Sequence, residues 1–432
     1  MFGKSRKKNE KAVERDINKT TKSLASSNIA EDEFIVKDLG VNKEKKNSDI
    51  KDAIKKKVDV KRIAIISFIF LIIVTIIFSF RLIRFNVVEM LWKTSVTRGS
   101  SNINNKSIRY SSFKNGLMRI SNDGITYIDD VGTVRFTVSY NMLDPIYESN
   151  DNYFAIADRN GYVFYIFDEN GVTGTNYLTN PIQKISLSED GIIYILQSDE
   201  ESSYVNVFRS RGEEIDISIK ANLNGDGMPI DISTSRDGTE LLLSYICLTN
   251  NNIYSKATYY NFDDPGKAAN SKRIVGEFVE EFKDSLLARV HFFDDKYSCL
   301  IYDTGVYFVS TANSSKPTII GNQIFEYKIK SIYYNSEYVV FVFENNKMNV
   351  FSKNGALIAD KTIDFDYENF YVSDNYIVFL YGNRVMIYDI RGRMIFDKEM
   401  DTDVQYVAKK KSLIWTELLV GVTDGVECIR FY

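Results

Sequence analysis

This 432-residue chain holds one histidine, His291, only three cysteines and only two tryptophans. The shortage excludes most zinc sites, which take several His and Cys ligands, and any chemistry that needs more than one imidazole. No Gly-x-Ser-x-Gly elbow occurs, so the strand-to-helix serine nucleophile of the α/β-hydrolases is excluded too. Wholesale disorder is ruled out by composition: 44% of residues are apolar and 26% charged, which is ordinary for a globular protein. From these absences the chain is expected to have no catalytic residues, no metal ligands and no cofactor-binding residues, and its binding residues are not legible.

Charge is unevenly placed. Residues 1–62 contain 18 Lys/Arg and 11 Asp/Glu, a balance of +7, which leaves −11 for the remainder of a chain whose net charge is −4. This first segment has no Pro, Tyr or Trp, and only Phe2 and Phe34 are aromatic. Such a composition cannot bury enough apolar surface to offset its chain entropy, so 1–62 is expected to be a disordered basic cytoplasmic tail. Within it, Glu31–Leu39 gathers Phe34, Ile35, Val36 and Leu39 among acids, and reads as an apolar clump in a tail rather than a docking peptide. Ile50, Ile54 and Val58 recur at helical spacing among Lys51, Lys55, Lys56, Lys57 and Lys61. That pattern suits an anionic lipid surface, or a cytoplasmic protein, as partner of the tail. Nucleic acid is not expected, since no aromatics are interleaved with the charges.

Residues 63–80, IAIISFIFLIIVTIIFSF, carry no charge. At about 1.5 Å per residue they match a bilayer's hydrocarbon core, and 63–83 is expected to form one transmembrane helix. Lys55, Lys56, Lys57, Lys61 and Arg62 precede it more densely than Arg81, Arg84, Lys93 and Arg98 follow it. The positive-inside rule then puts the N-terminus in the cytoplasm and the C-terminal part outside, with 84–95 as a stalk. A cleaved signal peptide fits poorly, because the charged region ahead of the span is far too long.

From about residue 108 the texture is all-β. Runs rich in Val, Ile, Tyr and Phe alternate with Asp/Asn/Gly turns. One set of turns ends on glycine: Tyr127–Gly132, Ile166–Gly171, Val207–Gly212, Asn261–Gly266, Val350–Gly355 and Ile387–Gly392, spaced by 39, 41, 54, 89 and 37 residues. The longest gap holds one degenerate copy, Val306–Thr311. A second set, including Ser188–Gly191 and Ser235–Gly238, precedes the first by about 20 residues, and a third set, including Asn122–Gly124 and Arg159–Gly161, falls between them. Three turns per repeat of about 40 residues give four short strands, the construction of a propeller blade. The repeat count predicts a β-propeller of eight four-stranded blades over 96–432, with seven as the alternative. The last unit ends after three strands, so its fourth is expected from residues 96–107, which would close the ring and remove an exposed edge. A short helical turn is expected around Phe278–Leu287.

A basic tail, one span and blades with Ser-x-Asp-Gly and Val/Ile-Phe/Tyr-Asp-x-x-Gly turns resemble an uncharacterised family of membrane-anchored β-propeller proteins of low-GC Gram-positive bacteria. More broadly the hairpins resemble those of WD40-like, quinoprotein-like and TolB-like propellers. The resemblance implies a fold and a cell-membrane location, and it carries no activity. Quinoprotein dehydrogenases repeat a tryptophan-docking motif that Trp92 and Trp415 cannot supply. Against the Ser-x-Asp-x-Gly-x-x-Trp boxes of sialidases, Ser188–Gly191 and Ser235–Gly238 lack the following Trp.

The remaining chemical candidates read as structural. His291 sits on an expected strand and reads as a packed residue. Asn222–Gly227 looks like the start of a calcium loop, but the twelfth position is Ser233 where a bidentate Glu is needed, so it reads as a blade-connecting turn. Cys247, Cys299 and Cys428 read as buried thiols, with a Cys247–Cys299 bridge between neighbouring blades as the alternative. The function expected is that of a non-enzymatic scaffold or receptor that binds a protein or an envelope polymer outside the cell. Its acidic outer part favours a basic protein or peptide. The alternatives are an extracytoplasmic enzyme acting on a glycan at the propeller channel, and a transmembrane sensor signalling through the tail.

Overall fold

The computed structural model describes residues 65–76, 88–96, 108–249, 252–412 and 416–431. The chain divides into two compact units, 1–83 and 84–432. In the first, residues 65–76 form a helix, α1, and every one of these residues is exposed. They lie inside the expected span 63–83. The tail expected over 1–62 lies outside the described residues. Among the described residues no helix is long and apolar enough to cross a membrane.

The second unit consists of eight four-stranded antiparallel sheets. The first blade holds β2 (Arg109–Phe113), β3 (Gly116–Ile120), β4 (Gly124–Ile128) and β5 (Val134–Ser139). The second holds β6 (Pro145–Ser149), β7 (Phe154–Asp158), β8 (Val163–Asp168) and β9 (Gly171–Tyr177). The third holds β10 (Ile182–Leu187), β11 (Ile193–Ser198), β12 (Ser202–Phe208) and β13 (Glu214–Asn222). The fourth holds β14 (Met228–Thr234), β15 (Glu240–Thr249), β16 (Asn252–Asn261) and β17 (Ile274–Phe278). The fifth holds β18 (Leu287–Phe292), β19 (Tyr297–Tyr302), β20 (Gly305–Ser310) and β21 (Thr318–Ile324). The sixth holds β22 (Ile329–Tyr334), β23 (Tyr338–Phe343), β24 (Lys347–Ser352) and β25 (Leu357–Thr362). The seventh holds β26 (Asn369–Ser373), β27 (Tyr376–Tyr381), β28 (Arg384–Asp389) and β29 (Met394–Glu399). The eighth holds β30 (Val404–Lys410), β31 (Thr416–Val422) and β32 (Gly425–Phe431), and its outer strand is β1 (Val88–Ser95). The all-β propeller stands, with eight blades rather than seven.

The turn chemistry of the sequence explains this regularity. In the turn from the third to the fourth strand, Asp129 Oδ1 accepts from the N–H groups of Val131 and Thr133 at 3.1 and 2.7 Å. Asp389 does the same for Arg391 and Arg393 at 3.0 and 2.9 Å. The aspartate thus supplies a side-chain acceptor that fixes the turn before its glycine. The Asn261–Gly266 turn departs from this pattern. It opens instead into a short helix, α2 (Asp264–Ala269), with Pro265 in its first turn, where a missing N–H costs nothing. The turn expected near Phe278–Leu287 is a single 3₁₀ turn, Glu280–Phe282.

One expectation fails. The closing strand is Val88–Ser95, not 96–107, so most of the segment expected to be a stalk is strand. It runs antiparallel to β32, from Val88 opposite Phe431 to Ser95 opposite Gly425. Two glycines make room for it. A Cβ on Gly425, at φ +157°, would stand 2.0 Å from the Thr94 carbonyl oxygen, and one on Gly132, at φ +87°, would stand 2.8 Å from Trp92 and from Thr94. The sequence signal for β1, Val-Glu-Met-Leu-Trp-Lys-Thr-Ser, is weak because its apolar residues Met90, Leu91 and Trp92 are consecutive and do not alternate with polar ones, the register shifting between Met90 and Trp92.

Buried apolar residues form clusters between blades. Phe113, Met118 and Phe154 join the first and second blades, while Cys299, Phe308, Phe341 and Phe351 join the fifth and sixth. Tyr110, Leu117, Leu419 and Cys428 join the first to the last, so the ring is closed by packing as well as by pairing. All of the buried apolar side chains among the described residues lie at or beyond Ile108. The unit 84–432 therefore carries its own core.

Candidate functional site

Each inner strand (β2, β6, β10, β14, β18, β22, β26 and β30) runs beside the axis of the wheel. Their polar side chains reach the neighbouring blade. Ser149 Oγ donates to the carbonyl of Ser112 at 3.1 Å, and the Thr234 N–H donates to Ser186 Oγ at 3.0 Å. The Phe292 N–H donates to Ser233 Oγ at 2.8 Å, and Tyr371 OH donates to the carbonyl of Val407 at 3.0 Å. Tyr406, stacked on Tyr371 with ring centres 4.4 Å apart, bonds Ser112 Oγ at 3.0 Å and joins the last blade to the first.

Four ionisable side chains converge on one arc of this inner wall. Asp231 is buried and accepts from Lys184 Nζ at 2.9 Å and from the Val290 N–H at 3.0 Å, with Arg289 at 3.8 Å. Among the described residues, Glu148 accepts only the Leu187 N–H, at 3.3 Å. Glu148 keeps access to solvent yet is walled by protein, and this desolvation, with the Asp231 charge adding to it, pushes its carboxyl up to about 7. Asp231 is committed to holding three blades together. Asp231→Ala is expected to lower stability by about 2 kcal/mol in urea titration, because it leaves the Val290 N–H and Lys184 without their acceptor. Asp231→Asn, which keeps an acceptor, should cost less.

The residues that the sequence offered as chemical candidates are dispersed. His291, on β18, stacks on Tyr334 at 4.2 Å, and its Nε2 lies 3.1 Å from the Asn335 carbonyl oxygen. Burial pulls its imidazole down to about 4, which keeps the ring neutral. Asn222–Gly227 spans the end of β13 and the crossing to β14. There Asp226 Oδ2 accepts the Asn222 N–H at 3.1 Å. Among the described residues no group of three His, Cys, Asp or Glu could hold a metal. The three cysteines are free and buried. No Cys247–Cys299 bridge forms, because Cys247 packs between the third and fourth blades and Cys299 between the fifth and sixth. Burial raises all three thiols, so none is a ready nucleophile.

Glu240, at the start of β15, is a buried carboxyl that sequence reasoning passed over. It accepts from Asn261 Nδ2 at 3.2 Å. Desolvation, with the Asp237 and Asp295 charges, pushes it up to about 8. The folded state therefore holds a proton that the unfolded chain releases above about pH 4.5, so stability falls as pH rises from 4.5 to 8. Glu240→Gln should remove this part of the slope and stabilise the protein at pH 8.5 by about 2–4 kcal/mol in denaturant titrations. His291 acts with the opposite sign, since its lowered value costs stability as pH falls from 6.5 towards 4.

The connections alternate between two sides of the wheel. First-to-second and third-to-fourth strand turns lie on one, here the turn side. Second-to-third turns and blade-to-blade crossings lie on the other, the crossover side. The turn side bears an open, polar depression of about 690 Å³ lined by Lys114, Asp168, Glu169, Glu189, Asp190 and Arg211, in which both charge signs are mixed. The crossover side carries large apolar side chains left in solvent: Leu143 (86% exposed), Tyr177 and Ile324 (75% each) and Ile253 (68%). β15 and β16 are ten residues each, the longest strands of the unit, and their paired end residues Leu248 and Ile253 are both exposed. Among the described residues, Val131, Val134, Val172 and Leu357 are the exposed large aliphatics at the turn-side connections. The larger share of exposed apolar side chains therefore lies on the crossover side.

The chain belongs to a family described as "Family of unknown function (DUF5711)", whose model matches residues 84–431 and so includes the closing strand. A search of curated proteins returns no match. Among solved structures, Sqt1 of Saccharomyces cerevisiae is 9% identical with a TM-score of 0.50, covering 80% of this chain and 98% of its own. BamB of Moraxella catarrhalis is 10% identical with a TM-score of 0.47, covering 80% and 100%. Apo AztD of Citrobacter koseri is 10% identical with a TM-score of 0.45, covering 68% and 87%. At such identities the likeness concerns the fold alone.

Proposed function

We propose that this member of the family is a membrane-anchored, non-enzymatic binding scaffold whose propeller recognises a protein outside the cell. The observation that carries the reading is that the most exposed large apolar side chains of the propeller, Leu143, Tyr177, Ile324 and Ile253, lie on the crossover side, with Leu248 and Ile253 at the end of its longest hairpin. Exposed aliphatic and tyrosine side chains on rigidly held loops are what a protein interface uses as anchors. The inner wall supports the non-enzymatic part. A channel enzyme working with two carboxylates needs both open to its substrate, and Asp231 is buried and held by Lys184, Arg289 and the Val290 N–H. The uncharged run 63–80 and the lysines before it support anchorage with the N-terminus in the cytoplasm.

The test places a photo-cross-linking amino acid in living cells at Tyr177 or Ile324, and separately at Val131 or Leu357. Protein adducts from the first pair and none from the second are expected. Equal labelling from both sides, or none from either, overturns the reading. Protease added to intact cells should remove the propeller and spare residues 1–62. A protected propeller would refute the topology.

A further inference from the structure

A propeller that binds protein through its crossover side still leaves the chemistry of its partner open. Among the described residues, the crossover-side connections contain 18 Asp/Glu against 3 Lys/Arg. The turn-side connections contain 14 against 13. The propeller's negative balance therefore belongs to one of its two sides.

Two of the crossover-side connections also use their charges differently from the turn side, although elsewhere on the crossover side Asp144 pairs with Arg159 and Asp424 with Lys93. On the turn side, opposite charges meet across blades, Arg236 with Glu189 at 2.6 Å and Lys353 with Asp294 at 3.0 Å, and Lys353 also meets Glu337 of its own blade at 2.9 Å. These pairs tie the ring. On the crossover side, Asp364, Asp366, Glu368, Asp401 and Asp403 are all exposed, and among the described residues they make no ion pair. All five lie in the two crossings that flank the seventh blade. Unneutralised like charge strains a compact fold and contributes nothing to its core. It does create a field that steers an oppositely charged partner, and it repels anionic polymers and a second copy of this same side. The apolar anchors lie on that side too. Charge alone would attract any cation, whereas charge with large apolar anchors suits a polypeptide that carries both features.

We infer, on the basis of the protein-binding role proposed for this side, that it docks a Lys/Arg-rich polypeptide segment that also carries apolar anchors. The charges of that segment meet the acidic crossings, and its anchors meet Leu248 and Ile253. The geometry gives the two contributions separate roles. The acidic crossings set the association rate and its salt dependence, and the hairpin end sets the residence time.

The experiment uses residues 84–432, which carry the whole described core, and three fluorescent peptides of equal length: Lys with Phe, Lys with Gly, and Glu with Phe. Binding is read by anisotropy at 50 and 300 mM salt. The Lys/Phe peptide should bind best, and its affinity should fall at the higher salt. Reversing Asp364, Asp366, Asp401 and Asp403 to Lys should weaken it about tenfold or more, and Leu248→Ser with Ile253→Ser should weaken it with little change in salt dependence. Reversing Glu169 and Asp190 on the turn side should leave it within about twofold. Thermal unfolding of each variant confirms that these exposed substitutions leave the fold intact. Equal binding of the Glu/Phe peptide, loss of binding in the turn-side variant, binding that requires added calcium, or a residue 1–62 peptide outcompeting the Lys/Phe peptide would each overturn the inference. A cross-linked partner with an acidic contact segment would defeat this inference and leave the protein-binding role standing. No cross-linked partner at all would defeat both.

Discussion

A fragment beginning at residue 96 is expected to unfold at much lower urea than residues 84–432, and to self-associate. β1 contributes far more than one strand's hydrogen bonds. It pairs with β32 along its whole length, and Lys93 reaches Glu427 at 3.0 Å and Asp424 at 3.4 Å. Thr94 Oγ1 donates to the Gly132 carbonyl at 2.6 Å, which latches the last blade onto the first. Leu91, Trp92 and Val96 cover the cluster of Tyr110, Leu117, Leu419 and Cys428. Without β1, β32 becomes an unpaired edge beside exposed apolar surface, the arrangement that templates aggregation. The loss is expected to be about 5 kcal/mol or more, beyond the usual range for a single side chain. Urea titration with sedimentation velocity on the two fragments checks it. Equal midpoints and a monomeric short fragment would mean that the ring closes by other means.

Phe341→Ala is expected to cost about 3–5 kcal/mol. Phe341 is fully buried on β23, with ring centres 4.8 Å from Phe325, 6.0 Å from Phe351 and 6.3 Å from Phe343. These side chains come from two strands of the blade and from the crossing that enters it, so a cavity there is lined by elements that cannot all move inward together. The interior is packed to near crystal density, and loss of the ring forfeits dispersion contacts as well as hydrophobic transfer. Phe341→Leu should cost roughly a third as much. Tyr177→Ala, on the exposed crossover side, should change stability by less than about 0.5 kcal/mol. Guanidinium unfolding of the three variants gives the comparison, and a cost for Phe341→Ala near that of Tyr177→Ala would contradict the packing described.

The blade count was legible because turn residues are local. Gly132, Gly212, Gly355 and Gly392 all adopt positive φ, and an aspartate or serine ahead of such a glycine marks its turn without knowledge of the fold. The closing strand was misplaced for the opposite reason. Glu89, Met90 and Lys93 face away from the core, and what identifies β1 is its partner β32, more than 300 residues away. The helix α2 hid inside a turn motif that ends on glycine like the others, and only the 54-residue step before it, longer than the repeat, marked the inserted residues. The packed role of His291, stacked on Tyr334, is legible because a lone ring on a strand has few other uses. Asp231, Lys184 and Glu148 were invisible as a group because they come from three blades, and nothing in their spacing brings them together. The charge segregation was present in the residue count, but it could not be read until each connection had been assigned to a side of the wheel.

The claim on which the rest depends is that Val88–Ser95 closes the wheel against β32. Cysteines introduced at Thr94 and Val426, which are register partners, test it directly under mild oxidation. A rapid intramolecular disulfide mapped to 94 and 426, with a raised unfolding midpoint, is predicted, whereas cysteines at Ser101 and Val426 should stay unlinked. Linkage through 101 with none through 94 would contradict the account.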